Sequence, residues 1–252
     1  MKKNIIIYTV LAIFNLLFLV LSDLWGGATA GICLLVGYAV PFWIGEVIAR
    51  RDKIKREEEA GVCEASALLF QFKPSLAYLL PMALPVCLIL FLLAYLTSLL
   101  AALAGVSTSS VPEGNVFVLA ITSVLAPVLV EEAFFRYLPY KLLAPYSYKA
   151  TVIFSSVAFA VAHLYFYKIP YALVAGLIFI VLNMAFQSMW PSVILHAINN
   201  ILAVIWIKAY AAGWGNSFIA VTSVLAALSL IFVFVFFKRY VRLFKLGFKA
   251  AR

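Results

Sequence analysis

Apolar residues run along this chain in long blocks, separated by short polar or basic intervals. Eight stretches, 5–22, 28–48, 76–104, 116–136, 150–167, 169–186, 191–211 and 217–237, approach the roughly 20 apolar positions that a helix needs to cross a bilayer. The pattern predicts an all-α polytopic membrane bundle of about eight transmembrane helices. The third stretch is long enough to tilt, kink or lie partly at the interface. Pro170 and Pro191 each fall where a new helix begins, a position that tolerates the missing N–H. No Ser/Gly linker, low-complexity tract or clear repeat divides the chain, so residues 1–252 read as a single integral membrane domain.

Composition agrees with the pattern. The chain is 66% hydrophobic and 12% charged, with a mean hydropathy of +1.10, which excludes an ordinary soluble domain. The net charge of +9 raises nucleic-acid binding, but the cations fall in loops rather than on one face. With the N-terminus in the cytoplasm, 16 of the 19 Lys and Arg lie on the cytoplasmic side. Only Lys168 and Lys208 lie outside, and Arg136 stands within a span. That asymmetry predicts both termini in the cytoplasm of a multi-pass protein of the cell membrane. The expected partners are the bilayer and a membrane-associated protein or peptide, with no nucleic acid.

Lesser features change this picture little. Lys2 and Lys3, an apolar run and Ala28-Thr29-Ala30 resemble a signal peptide, but the run exceeds an ordinary signal core, so an uncleaved first span is expected. Gly27 and Gly31 form a small-xxx-small pair that can let helices approach closely. Cys33, Cys63 and Cys87 lack metal or disulfide spacing and read as small membrane-facing or cytosolic thiols. Residues 50–64 read as a solvated amphipathic connection. The basic, apolar C-terminal run from Lys238 fits an interfacial helix on anionic lipid, or equally a stop-transfer flank.

Ionisable groups at bilayer depth are costly and mark function by default. The fourth stretch carries Glu131, Glu132 and Arg136. Glu132 and Arg136 are four apart and share a helix face, so they can pair, while Glu131 points about 100° away. Pro127 should kink the helix one turn earlier. Both histidines of the chain also lie in spans: His163 one turn after Phe159, and His196 one turn before Asn200. Asn199 neighbours His196 in sequence but points elsewhere. Taken singly, these read as a charged helix end and two packing histidines.

Taken together, EExxxR, FxxxH and HxxxN occur in order on three spans. In these residues (Glu131, Glu132, Arg136, Phe159, His163, His196 and Asn200) the chain resembles the CPBP family of intramembrane proteases. That family includes the type II CAAX prenyl endopeptidases and bacterial abortive-infection or bacteriocin-immunity proteins. The resemblance covers about residues 116–205, the expected catalytic core. It implies an intramembrane endopeptidase cutting near the C-terminus of a membrane-associated substrate. A non-catalytic immunity or scaffold protein is the alternative, and a proton-coupled transporter a more distant one.

Peptide hydrolysis needs an activated water and a stabilised oxyanion. Glu131 is the expected general base, with His163 helping to hold or deprotonate the water. His196 and Asn200 would donate to the oxyanion, and Arg136 would orient Glu132. No cofactor is expected. The alternative is a zinc ion on His163, His196 and Glu131, since two histidines and a carboxylate are a common catalytic zinc set; HExxH is absent. Counting along the spans puts Glu131 and His196 in the cytoplasmic third and His163 deeper. Either the fifth helix protrudes, or its boundary lies elsewhere.

Overall fold

The computed structural model describes residues 1–25, 27–60, 79–106 and 120–250. Among the described residues every regular element is helical, and six helices are long and apolar enough to cross a membrane. This is an all-α, multi-pass membrane chain. The stretches expected at 116–136 and 150–167 differ most from the six. The described part of the former is broken by two wide turns, and the helix of the latter runs only from Tyr148 to Ala162. Cys63, Lys73 and the start of the fourth stretch lie outside the described residues.

The chain divides into two compact units. The first comprises Met1–Leu69 and Val130–Ile180, the second Phe70–Leu129 and Val181–Arg252.

The first unit is built on a hairpin of α1 (Lys2–Trp25) and α2 (Gly27–Ala60). Asn4, Tyr8, Leu11, Asn15 and Leu19 form one buried stripe of α1 at helical spacing. Its two asparagines are anchored through their Nδ2 groups. Asn15 Nδ2 donates to the Gly37 carbonyl at 2.9 Å, and Asn4 Nδ2 to that of Leu142 at 2.9 Å. Close helix approach occurs at Gly37, where a Cβ would lie 2.6 Å from that of Phe18. At Gly31 a Cβ would meet no described atom within 4 Å.

Helix α2 also continues past its expected end. Residues 50–60 extend the helix, with ion pairs at i,i+4 spacing such as Lys55–Glu59 at 3.7 Å. Its 34 residues measure about 51 Å against a bilayer core of about 30 Å.

The rest of this unit follows Val130. A π-helical turn, Ala133–Tyr137, leads into α5 (Leu138–Leu143), then α6 (Tyr148–Ala162) and the first part of α7 (Ile169–Phe186). Ser147 caps α6, accepting from the Ala150 N–H at 3.2 Å. Ser155 Oγ ties α6 to the π turn by donating to the Phe135 carbonyl at 2.5 Å. At its far end, α6 is closed by Leu164 at φ 60°, a left-handed cap of the kind usually given to glycine. The boundary therefore falls at His163, earlier than the apolar run suggests, because a left-handed residue ends a helix whatever its hydrophobicity.

The second unit packs α3 (Leu80–Leu103), α8 (Trp190–Ala211) and α9 (Gly215–Ala250) against one another. A π turn at Ala120–Leu125 rests on α8 and leads into the short α4 (Ala126–Glu132), which carries the chain across into the first unit. Trp206 centres an aromatic cluster with Phe91, Tyr95 and Phe218, at centroid distances of 5.4–6.5 Å.

Candidate functional site

Glu131 and Glu132 end α4 between two widened turns. Pro127 has no N–H to return to the preceding turn. The expected disturbance takes the form of π-helical bonding over 120–125. The second π turn begins directly after Glu132, so the two carboxylates sit where the helix changes pitch. Glu131 is half-buried and Glu132 buried, as their expected separation around the helix requires.

Glu132 and Arg136 pair as their spacing predicts, Nε to Oε2 at 3.6 Å, with side chains 1% and 0% exposed. At that distance the contact is an ion pair rather than a hydrogen bond. None of the three guanidinium nitrogens has a hydrogen-bond partner among the described residues. Two ring faces hold the cation instead: Arg136 Cζ lies 4.0 Å from the ring centre of Phe159 and 5.6 Å from that of Phe179. Cation–π attraction reaches about 2 kcal/mol when both partners are desolvated.

Phe159 serves His163 as well. Its ring packs against the imidazole at 4.7 Å and 75°. Its carbonyl lies 2.9 Å from His163 Nδ1. The backbone explains this second contact. The last turn of α6 tightens, so the His163 N–H bonds to Ala160 O at 3.3 Å rather than to Phe159. The imidazole takes the carbonyl so released. A carbonyl only accepts, so Nδ1 carries the proton and Nε2 of the neutral ring carries the lone pair. FxxxH is thus one residue fixing both the cation of the first motif and the tautomer of the second.

Two phenols complete this side of the site, and sequence reading named neither. The Glu131 charge acts on Tyr38 of α2 and on Tyr171 in the first turn of α7. Tyr171 also packs edge-on against His163, at 5.8 Å and 88°. Glu131, Glu132, Arg136, Phe159 and His163 all belong to the first unit. The only sequence signal for the phenols was an aromatic within a helical turn of a proline that starts or interrupts a span.

His196, Asn199 and Asn200 belong to the second unit, on α8. His196 and Asn199 are 5% and 7% exposed, while Asn200 is only half-buried. The buried face of α8 therefore runs Ser192, His196, Asn199, and the expectation that Asn199 points elsewhere does not hold. Asn199 Oδ1 has no hydrogen-bond partner among the described residues.

The start of α8 is held from α7. Met189, at the N-cap, offers no side-chain cap. Asn183 replaces it: Oδ1 accepts from the Ser192 N–H at 3.0 Å, and Nδ2 donates to Ser192 Oγ at 2.7 Å. Both residues are fully buried. The clasp sits one turn before His196 and sets where that helix begins.

Within neither unit do three His, Cys, Asp or Glu side chains among the described residues gather as a metal ion would need. What the first unit does hold is Glu131, an imidazole of defined tautomer and a phenol packed against that imidazole. Residues 112–202 match a family model, that of the Rce1-like type II CAAX prenyl endopeptidases. The matched stretch contains all seven motif residues from Glu131 to Asn200. No curated protein and no solved structure matches the chain.

Proposed function

We propose that the chain is an intramembrane endopeptidase that hydrolyses a peptide bond near the C-terminus of a membrane-associated protein or peptide, CAAX-like or otherwise. The observation that carries this reading is the state of His163. Phe159 holds its Nδ1 in the donor state, which leaves the lone pair on Nε2 of a ring that packs against Tyr171. The family match over 112–202 supplies the reaction class.

Glu131 takes a proton from water while His163 Nε2 orients it. The water oxygen bonds to the substrate carbonyl carbon. His196 and Asn200 donate to the oxygen that becomes negative, a role assigned from the ordered motifs and the family match. The C–N bond then breaks, and the proton held by Glu131 passes to the leaving amine. Buried Arg136 pairs with Glu132, and the base role goes to Glu131. The expected excess of cations on one side supports a site open towards the cytoplasm.

The test is cleavage of a labelled C-terminal peptide library by the purified chain. Glu131→Gln should lower the rate by at least about 100-fold, the usual worth of a positioned base. Undiminished cleavage by that variant would sink the reading. Activity should survive a chelator. Loss restored by zinc would replace the metal-independent chemistry with the alternative built on His163, His196 and Glu131.

A further inference from the structure

Tyr171 stands at the crossing of two contacts that no motif of the chain explains. Its ring packs against the imidazole of His163, as does that of Phe159. The imidazole is held at 4.7 Å and 75° by one ring and at 5.8 Å and 88° by the other. Edge-on aromatic pairs of this kind fix ring planes as well as positions. Tyr171 also lies in the field of Glu131. Of the two phenols that do so, Tyr38 packs its ring edge-on against Phe134 and Phe135, whereas Tyr171 packs against the imidazole itself. Tyr171 lies in the first turn of α7, two residues after its start at Ile169 and close in sequence to the turn that follows His163.

We propose that Tyr171 is a catalytic residue of the water-activating site, its ring fixing the plane of His163 and its hydroxyl bonding the water that Glu131 and His163 activate. A phenol suits the task because it donates and accepts at once and stays neutral beside a carboxylate. It can accept from the water while that water's other proton moves to Glu131, or donate to it while it is being positioned. This rests on the endopeptidase reading for its chemistry, but the ring contact stands apart from it.

The two parts separate in experiment. Tyr171→Phe keeps the ring and removes the hydroxyl; Tyr171→Leu removes both. With the full chain in detergent and a cleaved peptide as substrate, Y171F should lower kcat about tenfold, the loss of one hydrogen bond of ordinary strength, with KM within about twofold. Y171L should lower it further. Histidine-selective nitrogen-15 spectra read the ring contact without activity, since the chain has two histidines and His196→Gln assigns them. His163 signals should be unchanged in Y171F and displaced in Y171L. Wild-type kcat in Y171F, or a raised KM alone, overturns the hydroxyl's role. Unmoved His163 signals in Y171L overturn the ring contact. Cleavage that survives Glu131→Gln would fail the endopeptidase reading and the hydroxyl's role with it, while the spectra would still decide the ring contact.

Discussion

Glu132–Arg136 and Lys55–Glu59 are the same interaction by spacing and opposite ones by surroundings. Both join oppositely charged residues four apart on a helix, at 3.6 and 3.7 Å. The first pair is sealed, with side chains 1% and 0% exposed. The second is open, at 73% and 66%. Water screens the open pair almost completely. For the sealed pair water is excluded and desolvation dominates. A buried pair therefore says little about net stability and much about how badly half of it is tolerated.

The strongest way to break this comparison is to remove half of the sealed pair. Glu132→Ala leaves the buried Arg136 without its carboxylate partner, and should lower stability by about 3–5 kcal/mol. Thermal unfolding in detergent reads this directly. Replacing both residues, as Glu132→Gln with Arg136→Met, should recover a good part of that loss, because no uncompensated charge remains. A double variant as unstable as Glu132→Ala would mean that the charges do more than cancel each other.

The sealed pair was legible in the sequence because i,i+4 geometry survives most helical distortion. Its π turn was not, since no residue type codes for one; Pro127 signalled only that the helix would change before the pair. His163 was legible as a residue but not as a helix end. Its boundary depends on Leu164 at φ 60°, and leucine gives no hint of a left-handed conformation. The long apolar helices were readable from composition and length. The Asn183 clasp was not, because it joins side chains on two helices whose pairing no local pattern encodes. Asn199 was misjudged for a related reason. Helical periodicity says which residues share a face, but not how wide the buried face is, and Asn199 lies one residue off the His196–Asn200 line.

Between the two extremes lies Asp52, near the emergent end of α2. It accepts from Asn4 Nδ2 at 3.1 Å, Arg56 at 2.7 Å and the Tyr146 hydroxyl at 2.5 Å. Burial and the bond to Asp52 both push the Tyr146 phenol above its ordinary range. The side chain of Asp52 is 25% exposed, so the network is neither screened away nor sealed. Asp52→Asn keeps the shape and removes the charge that three donors share. It should lower stability by about 1–2 kcal/mol in the same unfolding measurement. A loss as large as that of Glu132→Ala would show that exposure is the wrong variable for ranking these sites.

The smallest effect is expected at Lys55. Lys55→Ala deletes an exposed ion pair whose orientation, with the cation N-terminal to the anion, is also the weaker one on a helix. Alanine further returns some helix propensity. The net change should stay within about 0.5 kcal/mol. It should also shrink with added salt, because screening removes from the parent the same interaction that the substitution removes from the variant. A loss above about 1 kcal/mol, unchanged by salt, would mean that this end of α2 is covered in the working protein. The 73% and 66% exposures would then describe an interface awaiting lipid or another chain rather than a solvated surface.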